Sequence, residues 1–236
     1  MNLLKINQNN FSALFWKIVL SSRNGLQSDE FEKLSNEILG LQSLRVQADY
    51  NTGTISPKSA LWLFLLTRYF NPSVIAEVGT FIGTSGLSMV KGVDSNNASV
   101  TFYSCDVSNS IDIPYDGNSK LEFFKKSDST QMFKQLKDRG VVPDLFHIDG
   151  RLNQDDLPLL VSLKVSDAII LLDDFEGIEK GVANGFALQN ITMKSHVMIY
   201  PPKPEDCLFS DLDEIFPGTC TTAVLLPFKL LNFTRQ

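Results

Sequence analysis

Short apolar runs alternate with helix-like stretches through the middle of the chain, and this alternation constrains the fold most. Five runs have the composition of strands: 73–79, 99–106, 121–125, 144–149 and 168–173. Helix candidates lie between or after them, at 85–92, 130–139, 154–163 and 178–189. Strands that alternate with helices form βαβ units around a parallel sheet, and nearly continuous apolar strands indicate a sheet covered on both faces.

The two ends of the chain extend this body. Residues 28–45 have the spacing of an amphipathic helix that Ser28 can cap, and Ser56-Pro57 predicts the start of an apolar helix ending before Asn71. The runs 196–200 and 221–226 have no long helix between them, which predicts an antiparallel edge pair. The sequence therefore predicts an α/β fold: a doubly wound, Rossmann-like, mostly parallel seven-stranded sheet with an antiparallel edge hairpin and an N-terminal helical extension.

Composition limits the partners of such a protein. The 236 residues carry 21 Lys and Arg against 27 Asp and Glu, a net charge of −6, which argues against binding nucleic acid by broad phosphate neutralisation. The N-terminal apolar run 14–20 is interrupted by Lys17 and is too short to cross a membrane. The three cysteines are widely spaced and form no CxxC pair, so we expect a reduced, cytoplasmic protein without a disulfide framework.

The first strand ends in a glycine-containing turn that can approach a ligand closely. Gly79 and Gly83 allow tight turns, and Ser85 with the opening amides of the next helix offers donors to an anion. A dinucleotide-binding fingerprint would need glycine where Phe81 stands, and a phosphate-binding Walker loop would need lysine after the last glycine. A plain structural turn stays open for this motif alone.

The next two strands end in polar residues. Asp106 can accept hydrogen bonds from both hydroxyls of a ribose, and Ser127 with Asp128 follows the third strand, where an adenine edge can be recognised. In doubly wound sheets, ligands bind outside the carboxyl ends of the strands. Three successive strand ends thus indicate groups for an anion, a ribose and a base.

The pattern Glu-x-Gly-x-x-x-Gly-x-Ser, preceded by the apolar segment 55–66, resembles class I S-adenosylmethionine-dependent O-methyltransferases. It is most similar to the catechol and caffeoyl-CoA O-methyltransferase group with its bacterial small-molecule relatives, over about residues 55–186. We expect the chain to divide into an N-terminal helical extension at 1–54, packed on the core, and a domain at 55–236 that by this resemblance binds S-adenosylmethionine. The resemblance implies that the methionine part of the cofactor is held by Glu77, Gly79, Phe81, Gly83 and Ser85, the ribose by Asp106, and the adenine by Ser127 and Asp128.

Three carboxylates follow the fourth and fifth strands and mark the reactive end. Asp149 closes one strand and Asp173-Asp174 the next, and three converging carboxylates need a proton or a cation to offset their repulsion. Their oxygen atoms suit Mg²⁺ or another divalent cation, and the resembling family binds such an ion at these positions. The alternative stays open that Asp149 contacts the ammonium group of the cofactor, while Asp173 and Asp174 cap the following turn.

The resemblance implies direct transfer of a methyl group to a hydroxyl of a small molecule, with Asp149 as the predicted catalytic residue. The chain departs from the family at Leu152, where relatives commonly carry a lysine or histidine that can assist proton removal. His147 lies inside an apolar strand and is predicted to be a core histidine. A catalytically inactive cofactor-binding or scaffold protein is therefore the second hypothesis, and a nicotinamide-dependent oxidoreductase is the third. The sequence leaves open whether the protein forms a homodimer.

Overall fold

A seven-stranded sheet forms the centre of the protein, in the order β3-β2-β1-β4-β5-β7-β6. The computed structural model describes residues 8–48, 53–108, 112–176, 180–203 and 211–235. The strands are β1 (Val74–Val78), β2 (Thr101–Asp106), β3 (Lys120–Lys125), β4 (Leu145–Ile148), β5 (Ile169–Leu172), β6 (His196–Ile199) and β7 (Ala223–Pro227). The first five are parallel, and β7 runs antiparallel to both β5 and β6. The predicted doubly wound sheet and antiparallel edge pair are confirmed.

Seven helices surround the sheet among the residues that the structure describes. They are α1 (Gln8–Ser21), α2 (Ser28–Gly40), α3 (Pro57–Phe70), α4 (Thr84–Asp94), α5 (Ser129–Asp138), α6 (Asp156–Ser162) and α7 (Gly181–Thr192). Short 3₁₀ segments lie at Leu41–Gln47, Val165–Asp167 and Phe228–Arg235. The predicted start of α7 at residue 178 lies outside the described residues. No helix in the described ranges has the length and apolar character needed to cross a membrane.

Strand alternation divides the core into two layers. Side chains two residues apart in a strand point to the same face, so Ile75 and Leu145 pack with α1–α4 while Ala76 and Phe146 pack with α5–α7. Trp16 of α1 is fully buried in the first layer, so the N-terminal helices share the hydrophobic core of the sheet.

Local capping explains two helix boundaries. The Ser59 amide donates to Ser56 Oγ at 3.0 Å, which confirms Ser56 as the N-cap of α3. The expected cap at Ser28 is wrong, because α2 already includes Ser28 and Gln27 is its N-cap. The Gln27 amide donates to Glu30 Oε2 at 2.7 Å, so the glutamate of the first turn completes this cap.

His196 at the edge of the sheet makes stability depend on pH. Burial lowers the pKa of His196 below its ordinary value of 6.5, although hydrogen bonds to backbone carbonyls oppose the shift. Its Nε2 donates to the Ala168 carbonyl oxygen at 2.8 Å. Below the unfolded pKa, the unfolded chain binds a proton that the folded chain does not, so the free energy of unfolding falls as the pH falls.

We therefore expect the wild type to lose more unfolding free energy than His196→Gln between about pH 7.5 and about pH 5.5. Urea denaturation at both pH values measures the difference. Parallel profiles for the two proteins would contradict the assignment of this pH dependence to His196.

Candidate functional site

A cleft of about 490 Å³ lies at the carboxyl ends of β1, β2 and β4. Strand order reverses here because β1 pairs with β2 on one side and β4 on the other, and ligands of doubly wound sheets bind at such a point. A cavity of about 550 Å³ lies at the amino ends of β1, β4 and β5 and has a mostly apolar lining. Six predicted site residues line the cleft: Gly79, Phe81, Asp106, Ser127, Asp128 and Asp149.

The loop after β1 enters the cleft in an unusual backbone conformation. Gly79 has a φ of 99°, and Phe81 has a φ of 41°, in the left-handed region that side chains disfavour. The Phe81 amide donates to Asp106 Oδ2 at 2.7 Å, and the Arg45 guanidinium lies 5.6 Å from the centre of the Phe81 ring. These contacts hold Phe81 in a conformation that glycine adopts more readily.

Asp106 joins the loops that follow β1 and β2. Its Oδ2 accepts the Phe81 amide, and its Oδ1 accepts the Ser108 amide at 2.8 Å. Asp106 itself lines the cleft, where a carboxylate can accept hydrogen bonds from a ligand.

Ser127 and Asp128 form the wall beyond β3. The Ser127 amide donates to the Asp106 carbonyl oxygen at 3.0 Å, which fixes this turn against the end of β2. Asp128 is the N-cap of α5, where its Oδ1 accepts the Gln131 amide at 2.8 Å. Both residues are half-buried and line the cleft.

Glu77 lies in the protein core and not on the cleft wall, which differs from the contact expected with the cofactor. Its carboxylate is fully buried and accepts hydrogen bonds from Ser85 Oγ at 2.6 Å and from Ser104 Oγ at 2.7 Å. His147 Nδ1 lies 3.0 Å from Glu77 Oε1. Ser85 is thus turned inward toward Glu77, and Gly83 is the N-cap of α4 with a φ of 83°. None of Glu77, Gly83 and Ser85 belongs to the lining of the cleft.

His147 is a buried histidine, as expected, and its ring contacts a carboxylate. Burial alone would lower its pKa, but the hydrogen bond and charge of Glu77, with the charges of Asp173 and Asp149, raise the pKa above its ordinary value. Its Nε2 has no hydrogen-bond partner among the described residues. The Glu77–His147 pair links β1 to β4 directly beneath the cleft.

The predicted metal ligands are not assembled into one group. Asp173 is buried, and its Oδ1 accepts hydrogen bonds from Thr221 Oγ1 at 3.0 Å and Thr222 Oγ1 at 2.9 Å. Asp149 and Asp174 instead contact the ammonium group of Lys180. In the part of the chain that the structure describes, no three His, Cys, Asp or Glu side chains are placed to hold a metal ion. The residues present do not fit the divalent site that the resemblance implied.

Asp149 occupies the reactive end in a setting that opposes its ionisation. Burial and repulsion from Asp173 raise the pKa of Asp149 to about 7, against the opposing charges of His147 and Lys180. Burial would lower the pKa of Lys180, but the adjacent Asp149 and Asp174 carboxylates raise it above the ordinary range. Lys180 therefore stays a cation at neutral pH.

Three polar residues that the motifs did not single out shape this end of the site. Lys180 comes from the turn before α7. Asn184 of α7 donates to the Gly150 carbonyl oxygen at 2.8 Å and accepts the Leu152 amide at 3.1 Å. Asp156 is buried at the start of α6 and accepts hydrogen bonds from Ser129, Thr130 and Asn153. An asparagine within the predicted helix 178–189 was the available sequence signal for Asn184.

We expect Glu77→Gln to lower the free energy of unfolding by about 2–4 kcal/mol. The new NH₂ group would face the hydrogen-bond donors of Ser85 or Ser104, and His147 would lose its carboxylate partner. Glu122→Gln is the matched control: Glu122 is half-buried and pairs with Arg139, so its loss is expected to cost less than about 1 kcal/mol. Urea denaturation measures both variants. Equal losses would contradict a special role for the buried carboxylate.

Solved structures share this architecture. An O-methyltransferase from Bacillus cereus in complex with SAH matches with a TM-score of 0.53 at 12% identity, over 90% of this chain and 98% of that protein. The cofactor-bound protein Rv0187 from MTB matches with a TM-score of 0.50 at 12% identity, over 94% and 97%. No family model and no curated protein matches the sequence. The likeness at this identity concerns the fold: the chain has the seven-stranded, Rossmann-like fold of the S-adenosylmethionine-dependent O-methyltransferases.

Proposed function

We propose that the protein is an S-adenosylmethionine-dependent methyltransferase that methylates a hydroxyl group of a small molecule. The observation that carries the proposal is the position of Asp106. It ends β2 beside the Gly79 turn, in a cleft at the point where strand order reverses. The cleft volume lies in the range of small-molecule and cofactor sites.

The donors and acceptors of the cleft suit the parts of this cofactor. Asp106 accepts hydrogen bonds from the ribose hydroxyls, and Ser127 with Asp128 borders the adenine. Asp149 lies across the Gly79 turn, since a Cβ added to Gly79 would be 3.2 Å from the Asp149 carbonyl carbon. A carboxylate at that place can accept hydrogen bonds from the ammonium group of the methionine part. The absence of a side chain at Gly79 lets the cofactor lie close to the protein backbone.

The sulfonium group of the cofactor makes its methyl carbon electrophilic, so transfer forms a carbon–oxygen bond and breaks a carbon–sulfur bond. The remaining task of the protein is to align the acceptor oxygen and to exclude water. Asp149 Oδ is the acceptor for the hydroxyl proton in this proposal, because its raised pKa of about 7 suits proton transfer near neutrality. No divalent metal enters the proposal, since the carboxylates at the reactive end do not form a metal-binding group.

Leu152 supports a second candidate, a cofactor-binding protein without transfer activity. Its side chain packs partly into the hydrophobic layer formed with α5–α7, so this position supplies no proton acceptor. The two candidates share cofactor binding and differ in turnover. Cytoplasmic location and homodimer formation remain predictions for both, and a small-molecule substrate remains a prediction for the transferase.

Calorimetry with S-adenosylmethionine and with its demethylated product tests the shared step. Asp106→Ala is expected to weaken binding by about tenfold or more, because charge-assisted hydrogen bonds to the ribose contribute about 1.5–3 kcal/mol. Asp112→Ala is the matched control, an exposed aspartate paired with Lys125 outside the cleft, and it should bind as the wild type does. Absence of binding of either compound to the wild type at millimolar concentration would refute the proposal.

Mass spectrometry of reactions with a panel of phenols, sugars and hydroxy acids tests transfer. A mass increase of one methylene unit on a hydroxylated compound is expected for the transferase. Cofactor binding without any transfer across the panel would favour the inactive protein.

A further inference from the structure

Lys180 connects the two acidic strand ends at the reactive side of the cleft. Its Nζ lies 2.9 Å from Asp149 Oδ1, after β4, and 2.6 Å from Asp174 Oδ2, after β5. The Lys180 side chain is one-third exposed and lines the cleft together with Asp149. A positive charge is thus fixed between the carboxylates at the ends of two neighbouring strands.

The charges at this edge are balanced without an added ion. Asp149 and Asp174 would repel each other if both were ionised without a cation between them, and the ammonium group supplies that cation. Asp173 Oδ1 instead accepts hydrogen bonds from Thr221 and Thr222, and the ion pairs of Lys180 are with Asp149 and Asp174. A divalent ion would have to displace a cation that is tethered to the chain and therefore present at high effective concentration.

We propose that Lys180 takes the place of a divalent metal in this site and binds the acceptor oxygen of the substrate. The inference rests on the proposed methyltransferase function. An ammonium group has three N–H donors, two of which point to Asp149 and Asp174, so one is left for an oxygen atom in the cleft. This donor holds the substrate oxygen as its negative charge develops.

The proposal also defines the substrate class. A metal ion chelates two neighbouring oxygens, whereas one N–H contacts a single oxygen. The acceptor is therefore a compound with a lone hydroxyl group, and vicinal hydroxyls give no advantage. A purely structural Lys180 would join the ends of β4 and β5 but would leave substrate preference and kcat unaffected.

Metal binding tests the first half of the proposal without any assay of activity. Mn²⁺ titration followed by electron paramagnetic resonance compares the wild type with Lys180→Met, which keeps the length of the side chain and removes its charge. We expect Mn²⁺ to bind Lys180→Met at least about tenfold more tightly, because Asp149 and Asp174 lose their cation. Lys180→Arg keeps the charge and should resemble the wild type. Equal Mn²⁺ affinity in wild type and Lys180→Met, including none in either, would overturn the proposal.

Lys125→Met is the matched control, because Lys125 pairs with one exposed aspartate outside the cleft and its loss should not change Mn²⁺ affinity. Thermal unfolding and S-adenosylmethionine calorimetry on the same samples report folding and the cofactor site. Failure of the wild type to bind the cofactor would refute the proposed function, whereas the Mn²⁺ result decides the role of Lys180 separately.

Turnover tests the second half on a substrate from the panel. Chelation by EDTA should leave wild-type turnover unchanged, and a compound with one hydroxyl should react as well as its vicinal diol. Lys180→Met is expected to lower kcat by about 10²–10³-fold with cofactor affinity retained, as for loss of one donor to a developing oxyanion. Loss of wild-type turnover in EDTA with recovery in Mg²⁺, or an unchanged kcat in Lys180→Met, would overturn the proposal.

Discussion

The buried carboxylate of Glu77 is the interaction on which the site depends. It accepts hydrogen bonds from Ser104 on β2 and Ser85 on α4, and it pairs with His147 on β4. These contacts join three strands and one helix at the point where strand order reverses. A buried charge is tolerated only when its partners are fixed, so the network also fixes the strand ends from which the cleft is built.

Side chains hold the loops above this network through hydrogen bonds to backbone groups. Asp106 binds the amides of Phe81 and Ser108, and Asn184 binds the backbone of Gly150 and Leu152. Such contacts order the cleft before a ligand arrives, which reduces the entropy cost of binding. The left-handed conformation of Phe81 is maintained by this arrangement.

The sequence predicted the sheet, its edge pair and the strand ends, because hydrophobic alternation and turn residues are local signals. It therefore located Gly79, Asp106 and Asp149 at one cleft. The direction of Glu77 was missed, although a residue inside an apolar strand two positions before Gly79 must point toward a covered face. Lys180 could not be found in this way, because its position depends on the path of a loop and no periodic pattern describes that path. The three carboxylates expected to bind a metal are not grouped for a related reason: Asp173 and Asp174 are adjacent in sequence, and their side chains contact different partners.

At Leu152, the path of the loop does not depend on the chemistry of the side chain. Asn184 contacts the Gly150 carbonyl and the Leu152 amide, which every residue other than proline also offers, so the loop path does not require a particular side chain at position 152. A proton acceptor can therefore be absent at this position while the loop keeps its shape. Any acid–base or charge-stabilising group of the reactive end must then come from other elements. Asp149 after β4 and Lys180 before α7 are titratable groups that meet there in direct contact, and Asp174 after β5 pairs with the same lysine.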